Sequence, residues 1–267
     1  MLNIFRMDMR RMLRSKSFYI CLIILGTTMI FTQMLIWAIS DPKMVEFLIS
    51  KGFTLSVSNE ELSSLNTLYI LDVFHQANIS GGLFAVVTGI LTAIFVCGDF
   101  ESGYVKNILS VYVKRGKYLW SKFLCISIVN LIYLLATFFI VLVVNVITGS
   151  PFLQNPAADL FFFLFQIWVL ECGFTAMILL TCMLTRSKAA VITFAIFVCG
   201  GVVSMVLNSV LGLFGLNKIM EYSLYMNVAN AQMTYEGISS LRPFGISLIF
   251  IIVCMVLGQV VLSKRDV

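Results

Sequence analysis

Glu171, in the stretch QIWVLECGFTAM, is the one formally charged residue inside the long apolar runs of this chain. A carboxylate near the middle of a membrane-spanning helix costs about 2.5–3.5 kcal/mol on insertion scales, so it must face protein or water, or carry a proton. Two roles stand side by side: a lining residue of a translocation pathway or proton-linked site, and an interhelical hydrogen bond to an in-span amide such as Asn130, Asn145 or Gln166. Other reactive residues are sparse. His75 is the single histidine, cannot build a zinc site alone, and reads as an exposed loop residue. The seven cysteines form no C-x-x-C pair and read as small buried hydrophobes. No catalytic, metal-ligating or cofactor-binding set is expected on this chain, and with no G-x-x-x-x-G-K-[ST] in the sequence, any ATP belongs to another subunit.

The second constellation is GDFESGYVKNILSVYVKRGKYLWSKF, residues 98–123, which interrupts two apolar stretches. Asp99 stands at an N-cap position and Glu101 in the following turn, both favourable for a helix over 100–113. On it Tyr104, Val105, Ile108, Leu109 and Tyr112 share one side, while Glu101, Ser102, Lys106, Asn107 and Ser110 share the other. Such a helix is too short and polar to cross a bilayer; periodicity alone favours a rod lying beneath lipid headgroups. Lys114, Arg115 and Gly116 end the pattern, and Trp120 falls at interface depth.

The elements that position these residues follow from composition. The 267 residues are 60% hydrophobic and 12% charged, with mean hydropathy +1.00, too little polar surface for a soluble globule of this size. Apolar runs long enough to cross a hydrocarbon core as helix occur at 18–39, 79–97, 123–147, 160–184, 190–214 and 244–262. Their continuity excludes a β-barrel. The expected fold is an all-α membrane protein: one transmembrane domain over residues 1–267, with six transmembrane helices and a retained N-terminal anchor.

Fourteen of the 18 Lys and Arg residues lie on the side of the N-terminus, which puts both termini in the cytoplasm. The resulting basic face suits anionic headgroups or an acidic partner better than nucleic acid. In the outer stretch 40–78, Ser58 and Glu61 have capping-box spacing, and Leu62, Leu65, Tyr69 and Phe74 recur at helical spacing. The outer stretch 215–243, rich in Met, Tyr and Asn, reads as a segment that covers the bundle or dips into the interface. Gly81, Ala85, Gly89 and Ala93 recur every four residues and read first as intramolecular packing.

This order of features, with Glu101, Ser102, Gly103, Lys106, Asn107, Leu109, Ser110, Arg115 and Lys122 in the 98–123 segment, resembles the integral membrane subunit of an ATP-binding-cassette exporter of the ABC-2 permease type, small lantibiotic-immunity and peptide-export permeases included. The resemblance implies that the segment is a cytosolic coupling helix between the second and third spans, docking an ATPase through Asp99, Glu101, Tyr104, Lys106, Asn107, Leu109 and Arg115. It further implies a second permease subunit, identical or paralogous, ATP on the partner, and a multi-pass place in a bacterial plasma membrane. The cargo would be a hydrophobic or amphipathic solute, such as a peptide, antibiotic or lipid-like molecule, moved outward. Two alternatives from other classes are a membrane immunity or receptor-like protein that binds a peptide through its outer loops, and an ion-coupled carrier using Glu171; no inverted repeat supports the latter.

Overall fold

The computed structural model describes residues 2–40, 44–45, 47, 50–51, 68–105, 115–148 and 152–264. Within them the chain is an all-α bundle. A 12-residue amphipathic helix α1 (Leu2–Leu13) precedes α2 (Lys16–Ser40). The second crossing is built in pieces: α3 (Ile70–Phe74), a π-helical turn (His75–Ile79) and α4 (Leu83–Glu101). Next come α5 (Arg115–Thr148), α6 (Ala157–Thr185), α7 (Lys188–Cys199) and α8 (Val202–Leu213). A 3-10 turn (Asn217–Tyr222), α9 (Leu224–Ala229) and a second 3-10 turn (Ile238–Leu241) lead into α10 (Arg242–Lys264).

Helices α2, α4, α5, α6 and α10 are each long and apolar enough to cross a membrane. A sixth crossing requires α7 and α8 together, and these are bent by 51° at their junction. The run over 190–214 therefore does not form one rod. The sequence reason is Gly200-Gly201: Gly201 takes φ +81°, a left-handed conformation that breaks α-helical hydrogen bonding. The second crossing breaks at the same depth, where Gly82 has φ +72°. The two breaks face each other, and a Cβ on Gly82 would lie 2.1 Å from the carbonyl oxygen of Cys199. Tyr225 of α9 fills the notch between them: a Cβ on Gly201 would fall 2.1 Å from its ring.

Between α8 and α10 the chain does not simply cover the bundle. Leu224, Tyr225 and Val228 are buried, and Leu224 lies against Gly173 near the middle of α6. His75, expected in an exposed loop, is 5% exposed. Its Nε2 lies 2.9 Å from the Val228 carbonyl, and its ring meets Phe163 edge-on. The reversal has a local cause: the second crossing begins well before residue 79 and carries His75 into the bundle on a helical turn. Of the outer helix expected near 58–74, residues 58–67 lie outside the described residues, and 70–74 are helical.

The start of this crossing is tied to the loop before α6. Ile70 N–H donates to the Leu153 carbonyl at 3.1 Å, Leu153 N–H donates to the Leu68 carbonyl at 3.0 Å, and Leu71 N–H donates to Asn155 Oδ1 at 3.2 Å. The bonds donated by Ile70 and Leu71 satisfy first-turn amides that have no intrahelical acceptor. Deeper in, Asn78 Nδ2 donates to the Leu25 carbonyl at 3.1 Å while its Oδ1 accepts from Thr28 at 3.0 Å. Gly89 packs tightly within the subunit, since an added Cβ would meet Ile178 at 2.7 Å and Ala195 at 3.0 Å. Ala85 and Ala93 are buried with it, whereas a Cβ added at Gly81 would meet nothing within 4 Å.

Gly201→Ala must combine left-handed strain of about 1–2 kcal/mol with overlap on Tyr225. The variant is expected to melt several degrees lower in detergent, with Gly201→Ala/Tyr225→Ala recovering part of the loss. A single variant as stable as the parent contradicts the packed notch.

Candidate functional site

At the end of the bundle that holds the N-terminus, four charges meet: Asp8, Asp99 and Lys122 are buried, and Arg11 closes the group from the rim with its side chain 34% exposed. Helix α1 places Ile4, Asp8 and Met12 on one buried stripe at i, i+4, i+8 spacing. Asp8 is thereby carried inward among apolar neighbours. Helix α5 does the same with Tyr118 and Lys122, which continue a buried row through Cys125, Val129 and Tyr133. Helix α4 supplies Phe95 and Asp99 from its last two turns.

The Lys122 ammonium is 0% exposed and lies 2.6 Å from Asp8 Oδ1 and 2.6 Å from Asp99 Oδ2. Arg11 Nη2 reaches Asp99 Oδ1 at 2.5 Å and stands 3.8 Å from Asp8. The one remaining carboxylate oxygen, Asp8 Oδ2, accepts from Ser121 at 3.2 Å, and Tyr118 adds a second donor to Asp99 Oδ2 at 3.2 Å. The aromatic ring of Phe95 supports both cations, at 4.2 Å from Lys122 and 4.5 Å from Arg11. Tyr104 stacks on Arg11 at 4.4 Å and donates to Met7 Sδ at 3.3 Å. Burial pushes the Tyr104 phenol above its ordinary pKa, so it stays a neutral donor.

Two carboxylates and two cations cancel, which is the condition under which charges tolerate a site with little water. What the cluster does mechanically follows from its anchor points. Asp99 lies near the C-terminus of α4 and Lys122 near the N-terminus of α5, so the cluster grips both ends of the connection over residues 102–114. Asp8 and Arg11 fasten the same point to α1. Two residues further along α4, Glu101 Oε2 pairs with Lys188 Nζ at 2.6 Å, joining α4 to the start of α7.

The residues expected to dock a partner are distributed unevenly. Asp99 is not the N-cap of a new helix; it sits inside α4, 3% exposed, because Arg11 and Lys122 draw its carboxylate into the bundle. The helical path turns instead at Ser102 and Gly103 and resumes at Tyr104 and Val105. Glu101 is exposed, and Tyr104 is half-buried under Arg11. Arg115 opens α5. Lys106, Asn107 and Leu109 lie outside the described residues. Sequence reasoning missed the roles of Asp8, Arg11, Tyr118 and Ser121. The available signal was an acid at position 8 on the apolar stripe of a basic helix.

A family model described as ABC-2 family transporter protein matches residues 2–267, nearly the entire chain. No curated protein matches the chain. The chain belongs to the ABC-2 transporter family.

As an ABC-2 protein it is a multi-pass membrane component of an ABC transporter, a permease subunit that associates with an ABC ATPase. Within this permease, Glu171 is 1% exposed on the seam between α6 and α4, with Oε2 3.5 Å from the Thr88 hydroxyl. Its partner is a hydroxyl and not an in-span amide. Asn130 instead donates to Thr175 at 2.9 Å, and Trp168 Nε1 donates to the Ser127 carbonyl at 2.8 Å, fastening α5 to α6. Gln33 Nε2 reaches the Val141 carbonyl at 3.1 Å and joins α2 to α5. All seven cysteines are buried free thiols, and no metal-binding group occurs among the described residues.

Removing one partner from a buried ion group leaves the others uncompensated, at a cost of about 3–5 kcal/mol. Lys122→Met is therefore expected to lower the melting temperature strongly and to loosen α1, seen as faster amide exchange over residues 2–13. Asp8→Asn in the same chain should restore part of the stability. Equal exchange in the parent and in Lys122→Met excludes the clamp.

Proposed function

We propose that this permease exports a hydrophobic or amphipathic solute across a bacterial plasma membrane, driven by ATP bound and hydrolysed on a separate cytosolic subunit. The observation that carries the reading is the charge cluster, which ties both ends of the 102–114 connection to α1 in one rigid knot. A push on that connection is passed to α4 and α5 instead of being lost in loop motion. The cationic end, with Arg6, Arg10, Arg11, Arg14 and Lys188, faces the cytosol, where Lys and Arg are retained. Both termini are then cytoplasmic.

In this reading Glu101, Tyr104, Lys106, Asn107, Leu109 and Arg115 form the docking surface, and Asp99 acts behind it as the internal anchor. A second permease subunit, identical or paralogous, completes the pathway. Glu171 supplies a polar step on the seam where α4 and α6 part as the path opens. Its neighbours support a hydrogen-bonding role: the carboxyl meets the Thr88 hydroxyl, and no cation pairs with it among the described residues.

Leu109→Asp is expected to abolish co-purification of the ATPase without preventing membrane insertion; undiminished co-purification contradicts docking at this loop. Glu171→Gln, which keeps hydrogen-bonding capacity, is expected to retain ATP-driven transport within about twofold, whereas Glu171→Leu should slow it about tenfold. Transport in vesicles that lack the ATPase and follows an imposed pH gradient, lost in Glu171→Gln, would reassign the protein as an ion-coupled carrier.

A further inference from the structure

Two cavities flank the segment between α8 and α10, at the end of the bundle opposite the charge cluster. The first, about 250 Å³, is lined by the polar side chains of Glu221, Asn227, Asn230, Gln232, Ser239 and Arg242 together with Met226 and Pro243. The second, about 350 Å³, is apolar and reaches toward the middle of the bundle between Phe174, Met177, Val198, Leu207, Leu224 and Phe250. Its polar spot is the Ser204 and Ser223 hydroxyl pair, 3.3 Å apart.

The cavities share a wall. Glu221 lines the polar one and its neighbour Tyr222 the apolar one. Arg242 spans the wall, with Nη1 2.9 Å from Glu221 Oε2 and its guanidinium 4.6 Å from the Tyr222 ring. Arg242 and Phe250 are eight residues apart on α10, so the apolar cavity extends roughly 12 Å deeper along the helix. One is therefore placed for a group at the membrane surface, and the other for a chain in the hydrocarbon.

The polar cavity carries both signs of charge and an excess of acceptors. Asn227 Nδ2 is spent on the backbone carbonyls of Glu221 and Ser223, at 2.8 and 2.7 Å, and Asn230 Nδ2 on that of Met226 at 3.0 Å. Their carbonyl oxygens remain to face a donor. Gln232 Oε1 is buried with no hydrogen-bond partner. An ammonium group satisfies such acceptors together with Glu221, while an anionic group beside it meets the Arg242 fork.

We propose that the paired cavities form one site for a single-chain amphiphile with a zwitterionic head. Its apolar chain lies in the cavity bounded by Phe174, Leu207 and Phe250. Its ammonium meets Glu221 and the amide oxygens, and its anionic group meets Arg242. This deepens the permease reading by naming the cargo class, and it rests on that reading only for the ligand's role as cargo. The same chemistry has two sources, a solute on its way out and a lipid held in place.

The test uses the full chain in phosphatidylcholine nanodiscs and a lysophosphatidylethanolamine carrying a diazirine at the chain terminus. Labelling is expected to saturate, to map to Phe174, Met177, Val198, Ser204 and Phe250, which are shielded from lipid, and to be displaced by unlabelled lysophosphatidylethanolamine. A monoacylglycerol probe with the same chain, lacking both head charges, should label at least about tenfold less, and Arg242→Gln should weaken displacement about tenfold. Leu207→Trp should block labelling by filling the cavity; the displacement experiment stands without any variant. Label spread over lipid-facing residues such as Phe31 and Ile249, independent of head and of competitor, overturns the site.

With the partner ATPase present, loss of bound probe on adding ATP identifies cargo, and retention identifies a resident lipid; either result leaves the site in place. Failure of the permease reading is read separately, as saturable labelling in a protein that recruits no ATPase. Failure of the site alone appears as unsaturable labelling in a protein that still recruits one.

Discussion

The arrangement depends on a lysine ammonium held between two carboxylates in a place water scarcely reaches. Lys122 cannot be buried without Asp8 and Asp99, and neither acid can be buried without Lys122 and Arg11. The mutual requirement means that α1, α4 and α5 meet at one point or not at all. Charge balance therefore does here what apolar packing cannot do in a bilayer, where lipid tails compete with any neighbouring side chain. Exposed residues such as Tyr19, Phe31 and Ile249 show how much of the helical surface makes no contact within the subunit.

The opposite end is organised by backbone breaks. Gly82 and Gly201 interrupt two crossings at facing positions, with the Cys199 carbonyl and the Tyr225 ring packed against Gly82 and the same ring against Gly201. The segment after α8 exploits this opening: Tyr225 seats against both glycines, and Val228 offers its carbonyl to His75. The charge cluster thus fastens three helices at one end, while the other end is assembled from short, broken pieces. The long helix α5, Arg115–Thr148, runs between the two ends.

How far the sequence could be read varies with the kind of signal. Apolar run length is a local property, so the helical membrane class was legible, and the pattern from Glu101 to Lys122 pointed to the family that the whole-chain match shows. Asp99 was harder. Its neighbours in sequence make it a plausible helix cap, but its partners Arg11 and Lys122 come from 88 residues upstream and from across a loop. His75 looked exposed because it stands among polar residues before an apolar run, although the helix carrying it begins at Ile70. Glu171 was recognised as exceptional, yet its partner proved to be the Thr88 hydroxyl on a helix whose rotation no hydropathy count reveals.

By itself, then, the sequence determined that this chain is a bundle of membrane helices with a basic end and an amphipathic interruption between its second and third crossings, since length, hydropathy and charge act residue by residue along the chain. Only the tertiary structure decided which charges are buried together, that the run over 190–214 bends by 51°, and that the last connecting segment folds back into the bundle. Those outcomes depend on which helical faces meet. A face has no energy until another is set against it, and Lys122 with Asp8, 114 residues apart, is the clearest case.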